Sequence, residues 1–198
     1  MAWLGRLLYS FRGHDSGLWD NDPEIQKVPA TIEVTSDDFT HDSPLPGSAV
    51  GIRQGGENLS PHLKWGNIPE GTQELVMVLQ DPDAPLPFVI MHTVVVGITP
   101  NISSFKAGEL TIPKDTQPPN PHADGWRFGR AIAGKRGYQG PGAPPGHGPH
   151  RYFFYFYALK EKLPEGAQNW KEGQLLAAIK PLAIGRGVLM GTFQNKSQ

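Results

Sequence analysis

GPGAPPGHGPHRYFFYFYAL, residues 140–159, begins in turn formers and ends in an aromatic run suited to a β-strand. Between the halves stands His150-Arg151-Tyr152. Side chains alternate along extended backbone, so His150 and Tyr152 share one face and Arg151 takes the other. The stretch therefore predicts a strand over 151–159 with two proton-handling side chains at its mouth. The upstream half belongs to GYQGPGAPPGHGP (137–149), with five glycines and four prolines in thirteen positions. Glycine allows close backbone approach and proline stiffens the loop, a combination that suits a preformed anion site of backbone amides. The lysine and Ser/Thr of a nucleotide-binding phosphate loop are missing, which argues against ATP or GTP hydrolysis.

Outward from this strand, the chain reads as mostly β. TIEVT (31–35) alternates, ELVMVLQ (74–80) is a short apolar run for a strand buried on both faces, and FVIMHTVVVGI (88–98) is β-branched. GVLMGTFQ (187–194) supplies a last strand. Turn formers crowd 41–47, 67–72 and 111–126, the last within a long irregular connection from about residue 99 to residue 150. NWKEGQLLAAIKPLAIG (169–185) predicts a helix with Leu175, Leu176 and Ile179 on one face, ended or kinked by Pro181. Trp3, Leu4, Leu7, Leu8 and Phe11 follow helical spacing, predicting a short amphipathic N-terminal helix that docks on the domain or on a second copy in a homodimer. The expected architecture is an antiparallel β-sandwich over 31–198 with small peripheral helices, preceded by an N-terminal extension over 1–30.

Composition narrows the function. The 198 residues include no cysteine, which excludes disulfides, thiolate catalysis and cysteine-ligated zinc, and suits a reducing, cytoplasmic setting. A net charge of -1 offers no basic stripe for nucleic acid, and no segment approaches the roughly 20 apolar residues of a membrane span. No cofactor is implied.

Two further stretches carry candidate chemistry. DPDAPLP (81–87) follows a buried strand in a turn stiffened by three prolines, so Asp81 and Asp83 read as turn caps or site acids. His92 interrupts an apolar strand; regular pleating places it on the face of Ile90, Val94 and Val96, where one histidine is more often a core residue than a ligand. Arg151, pointing away from His150, is placed to pair with an acid such as Asp83. A metal reading of His147 and His150 with His92 and Asp81 explains Tyr152 poorly and is set aside.

The order of DPDAP, a histidine on the next strand and GPGAPPGHGPHRYFF resembles the phosphatidylethanolamine-binding protein family, in its bacterial and fungal branch. ENLSPHLKW (57–65) and GRGVLMGTF (185–193) extend the resemblance to about residues 31–194. It implies a Greek-key β-sandwich with a small anion pocket formed by Asp81, His92, His150 and Tyr152, with Pro85 and Gly140 to Gly142 as walls. The expected ligand is a phosphate- or carboxylate-bearing small molecule, such as a phospholipid headgroup or a metabolite. The alternative is a biosynthetic enzyme for cyclisation or coupling of a polyketide-type substrate, with Asp81 and His150 moving protons. Residue identity alone does not separate binding from catalysis.

Overall fold

Among the described residues nine strands carry the fold: β1 (Glu33–Thr35), β2 (Ser43–Pro44), β3 (Leu63–Gly66), β4 (Glu74–Asp81), β5 (Ile90–Ile98), β6 (Ser104–Phe105), β7 (Arg127–Phe128), β8 (His150–Leu159) and β9 (Ala183–Phe193). The structure is a computed structural model and describes residues 2–113, 116 and 121–196. Part of the long connection anticipated after residue 99, residues 114–115 and 117–120, lies outside the described residues. All five strands expected from the apolar runs are present; the short strands β2, β3, β6 and β7 are additional.

The strands form two sheets, β1-β3-β6 and β2-β9-β8-β4-β5-β7. All pairings are antiparallel except β2 with β9. The connection after β5 carries the chain back past β4 to its free edge, where β8 pairs with it, the crossover of a Greek key. Alternation on β8 sends Tyr152, Phe154, Phe156 and Ala158 into the core between the sheets, beside Leu75, Met77 and Leu79 of β4. Trp65 of the small sheet meets Phe156 with ring centroids 4.6 Å apart.

The opposite face of the large sheet is covered too. Val76 and Val78 of β4 with Tyr155 and Tyr157 of β8 pack under Leu18, Trp19, Ile25, Leu175 and Ile179. These come from α2 (Pro23–Gln26), the turns before it, and α3 (Glu172–Ile179). Helix α3 is shorter than the 169–185 expected: Pro181 cannot continue it, and Ala183–Gly185 pass into β9. With both faces covered, every residue of β4 is buried, as a continuous apolar run requires.

The N-terminal helix α1 (Ala2–Leu7) lies against the domain. It docks on the glycine-proline loop through its backbone at Gly5. Gly5 lies so close to the glycine-proline loop that a Cβ there would stand 2.0 Å from the Pro145 carbonyl oxygen. Trp3, Leu7 and Phe11 consequently point outward, 69%, 67% and 49% exposed.

Candidate functional site

Asp81 ends β4 and His150 begins β8, and the pairing of these strands brings them together at one end of the core. The Asp81 carboxylate accepts from the Asp83 amide at 2.8 Å through Oδ1 and from His150 Nδ1 at 2.9 Å through Oδ2. The first bond closes the turn of DPDAP, so one carboxylate both shapes the loop and holds the imidazole. Burial opposes charge on Asp81, but the His150 and His92 imidazoles outweigh it and hold the carboxyl well below the usual carboxylate range.

His92 reaches this end of the core through a bulge. Thr93 pairs with Leu79 and Met91 with Gln80, leaving His92 as the extra residue. The bulge turns His92 away from the helix-covered face of Val94 and Val96, where regular pleating would put it. Its Nδ1 donates to the Gln139 carbonyl at 2.7 Å and its ring meets Tyr152 at 5.3 Å. Because a carbonyl can only accept, that bond fixes the proton on Nδ1. His92 Nε2 is left buried without a hydrogen-bond partner among the described residues, 3.7 Å from the Asp81 carboxylate.

The Tyr152 hydroxyl is also buried without a partner in hydrogen-bonding geometry. Burial, reinforced by the charge on Asp81, keeps the phenol protonated, with the Gly142 amide nearby. Both ring nitrogens of His150, expected as part of the anion pocket, are engaged, one by Asp81 and the other by His147 Nδ1 at 2.8 Å.

A cleft of about 390 Å³ opens over His92. Gly140, Gln139 and Asn58 form one side, and Arg53, Gln54 and Lys135 stand around it. Arg53 and Lys135 make no ion pair among the described residues. The loop wall is stitched to the segment before β3: the Gly140 amide donates to Asn58 Oδ1 at 2.7 Å, and the Gly51 amide to the Pro141 carbonyl at 2.9 Å. Pro85 and Gly142, expected as walls, do not line this cleft, while Asp81, His150 and Tyr152 lie buried behind it.

Arg151 pairs with Asp83, as its place on the far face of β8 suggests. Its Nε donates to Asp83 Oδ2 at 2.8 Å and its Nη2 to Oδ1 at 2.9 Å, and its backbone amide adds a third bond at 2.9 Å. The two motif loops are thereby clamped to each other.

A family profile described as phosphatidylethanolamine-binding protein matches residues 35–194, a range that holds every one of these groups. The chain belongs to the phosphatidylethanolamine-binding protein family. Within it, the sequence is 30% identical over 195 residues to the phomoidride biosynthesis cluster protein B of Fungal sp. (strain ATCC 74256), covering 97% of this chain and 92% of the relative. It is 34% identical to the UPF0098 protein of Aquifex aeolicus, over 84% of this chain and 85% of that one. The crystal structure of Escherichia coli YbcL, titled a new member of the mammalian PEBP family, superposes with a TM-score of 0.70 at 28% identity, covering 83% of this chain and 99% of YbcL. Membership confirms the fold that the resemblance implied.

Sequence reasoning passed over two parts of this family member's site. Arg53 and Lys135 stood in stretches with no motif, and only the folded loops bring them to His92. His147, considered there only as a metal ligand, is fully buried and bonded to His150. No described helix is long and apolar enough to cross a membrane.

Proposed function

We propose that the protein binds a small molecule through a phosphate or carboxylate group in the cleft over His92. The observation that carries this reading is the buried Nε2 of His92, without a partner among the described residues, at the floor of a cleft flanked by two cations, Arg53 and Lys135, that make no ion pair among those residues. A buried polar atom without a partner is costly unless something supplies one. An anion supplies it. With Nδ1 already donating to Gln139, Nε2 is the nitrogen left to meet the ligand, where it accepts the O–H of a hydrogen phosphate or of a protonated carboxyl. The Tyr152 phenol is a donor within the same buried group.

Titration calorimetry with inorganic phosphate and with glycerophosphoethanolamine tests the reading. One-to-one binding is expected, weakened by salt because Arg53 and Lys135 are exposed. His92→Ala is expected to weaken it at least tenfold, and Arg53→Ala or Lys135→Ala several-fold. Binding unchanged in His92→Ala would remove the cleft as the site.

A second reading, an enzyme using the same residues, is favoured by the 30% identity with a phomoidride biosynthesis cluster protein across nearly the whole chain. Asp81 and His150 form a hydrogen-bonded acid-base pair beside the free nitrogen of His92, an arrangement able to take and return a proton. Incubating wild type and Asp81→Ala with a metabolite extract from the source cells separates the two. A metabolite consumed by wild type alone establishes turnover; one retained stoichiometrically and unchanged establishes binding.

A further inference from the structure

His147 occupies a position that neither reading above uses. Its ring is fully buried between two elements distant in sequence. Nε2 lies 2.8 Å from the carbonyl oxygen of Leu8, just beyond helix α1, and Nδ1 lies 2.8 Å from His150 Nε2. His150 Nδ1 in turn lies 2.9 Å from Asp81 Oδ2. The result is an unbroken row from the N-terminal segment to the carboxylate beside the cleft: Leu8 carbonyl, His147, His150, Asp81.

Proton counting constrains this row. Its three hydrogen bonds need three protons, and both ends, a carbonyl and a carboxylate, only accept. Two neutral imidazoles bring two protons. The third makes one imidazole of the pair an imidazolium, which cancels the charge of Asp81. The extra proton is placed on His150, the imidazole 2.9 Å from the carboxylate whose charge it balances, because His147 stands one hydrogen bond further away. The other ionisable groups facing the row are His92 and Tyr152 beside Asp81, and Arg12 and Tyr9 beside His147.

The N-terminal segment is built to hold this arrangement. Arg12 bonds the carbonyls of His147 and Pro149, the Gly13 amide donates to Asp83 Oδ1 at 3.2 Å, and the His14 amide to the Pro82 carbonyl at 3.0 Å. It therefore straps both motif loops from outside.

We propose that His147, anchored on Leu8, is a positioning residue that keeps His150 doubly protonated, so that Asp81 stands beside the cleft neutralised and the N-terminal segment is an integral part of the site. Without His147 the His150 Nε2 proton loses the one acceptor that the described residues give it, and the pair reverts to a neutral imidazole and an uncompensated carboxylate. That negative charge repels the anion, so the consequence for affinity rests on the anion-binding reading, whereas the protonation state does not.

Nitrogen-15 NMR of the imidazole rings in the full chain, at pH 7.5, reads the protonation directly. Wild type is expected to show His147 protonated on Nε2 alone and His150 on both nitrogens. His147→Ala is expected to leave His150 protonated on Nδ1 only, with phosphate affinity reduced about tenfold for one added charge at close range. His147→Gln, whose side-chain oxygen accepts and whose nitrogen donates, is expected to restore the doubly protonated His150. Gly5→Val, which displaces α1 from Pro145 and with it the Leu8 carbonyl, is expected to shift the His147 signals although no side chain of the row is substituted. A His150 spectrum identical in wild type and His147→Ala would overturn the proposal, as would His147 protonated on Nδ1 in wild type. If the spectra behave as expected and phosphate does not bind, the proposal stands and the anion-binding reading falls.

Discussion

Asp83 is the acid whose fate is easiest to follow at the scale of single residues. Its side chain is 3% exposed, and the bidentate Arg151, itself reaching out to Asp15, compensates its charge. Burial opposes ionisation of Asp83, but the bonds from Arg151 outweigh it and lower its pKa. A carboxyl whose folded-state pKa is depressed contributes stability above its unfolded pKa and loses it as pH falls through the folded value. Arg151→Ala is therefore expected to cost about 3 kcal/mol at neutral pH, the low end for a buried charge left unpaired because Arg151 is partly exposed. Urea unfolding should show that deficit shrinking as the pH drops below the carboxylate range. A deficit independent of pH would mean that Arg151 acts through packing alone. This pair was legible in the sequence because alternation alone sends Arg151 away from His150. The partner of His147 was not: Leu8 is 139 residues away, and only the docking of the N-terminal segment brings it there.

Elements set the limits of that legibility. The five long strands announced themselves by apolar runs, and His150 and Tyr152 fall on one face of β8 as period-two alternation demands. His92 was misplaced because a bulge breaks the alternation, and nothing in FVIMHTVVVGI marks where the extra residue sits. Strands of two residues, β2, β6 and β7, are too short to show any period and are defined only by their neighbours. Of the glycine-proline loop expected as a wall, Gly140 lines the cleft and Gly142 does not, and the two glycines are packed differently. A Cβ on Gly140 would stand 2.4 Å from the Ala49 carbonyl oxygen and 2.9 Å from the Gly51 nitrogen, both backbone atoms that cannot step aside. A Cβ on Gly142 would meet nothing nearer than the end of Gln54 at 3.9 Å. Gly140→Ala is expected to cost about 1–3 kcal/mol, and Gly142→Ala to stay within about 0.5 kcal/mol of wild type. Thermal melts of the two variants decide it; equal melting temperatures would show that the loop gives way at Gly140.

Across the whole molecule, the large sheet is a middle layer, with the small sheet on one face and helices on the other. The sequence pointed to a sandwich because its elements are mostly strands at irregular spacing, and the two-faced burial expected of β4 did not reveal that the cover differs from side to side. The aromatic side chains of β8 divide accordingly, Phe154 and Phe156 toward the small sheet and Tyr155 and Tyr157 toward the helices. Another property follows from the strand order. The long apolar strands β4, β5, β8 and β9 occupy the interior of the large sheet, and its two margins are the two-residue strands β2 and β7. One margin carries Pro44, which has no amide to donate, and the other carries the charged Arg127. On the β9 side, the outer edge beyond β2 is further occupied by the segment before β1, where the Ile32 amide bonds the Arg186 carbonyl and the Arg186 amide bonds the Pro29 carbonyl; β8 itself is flanked by the long strands β4 and β9. The polypeptide thus holds a highly aromatic, aggregation-competent strand at its centre and withholds from other molecules the backbone edge on which fibrillar growth would begin.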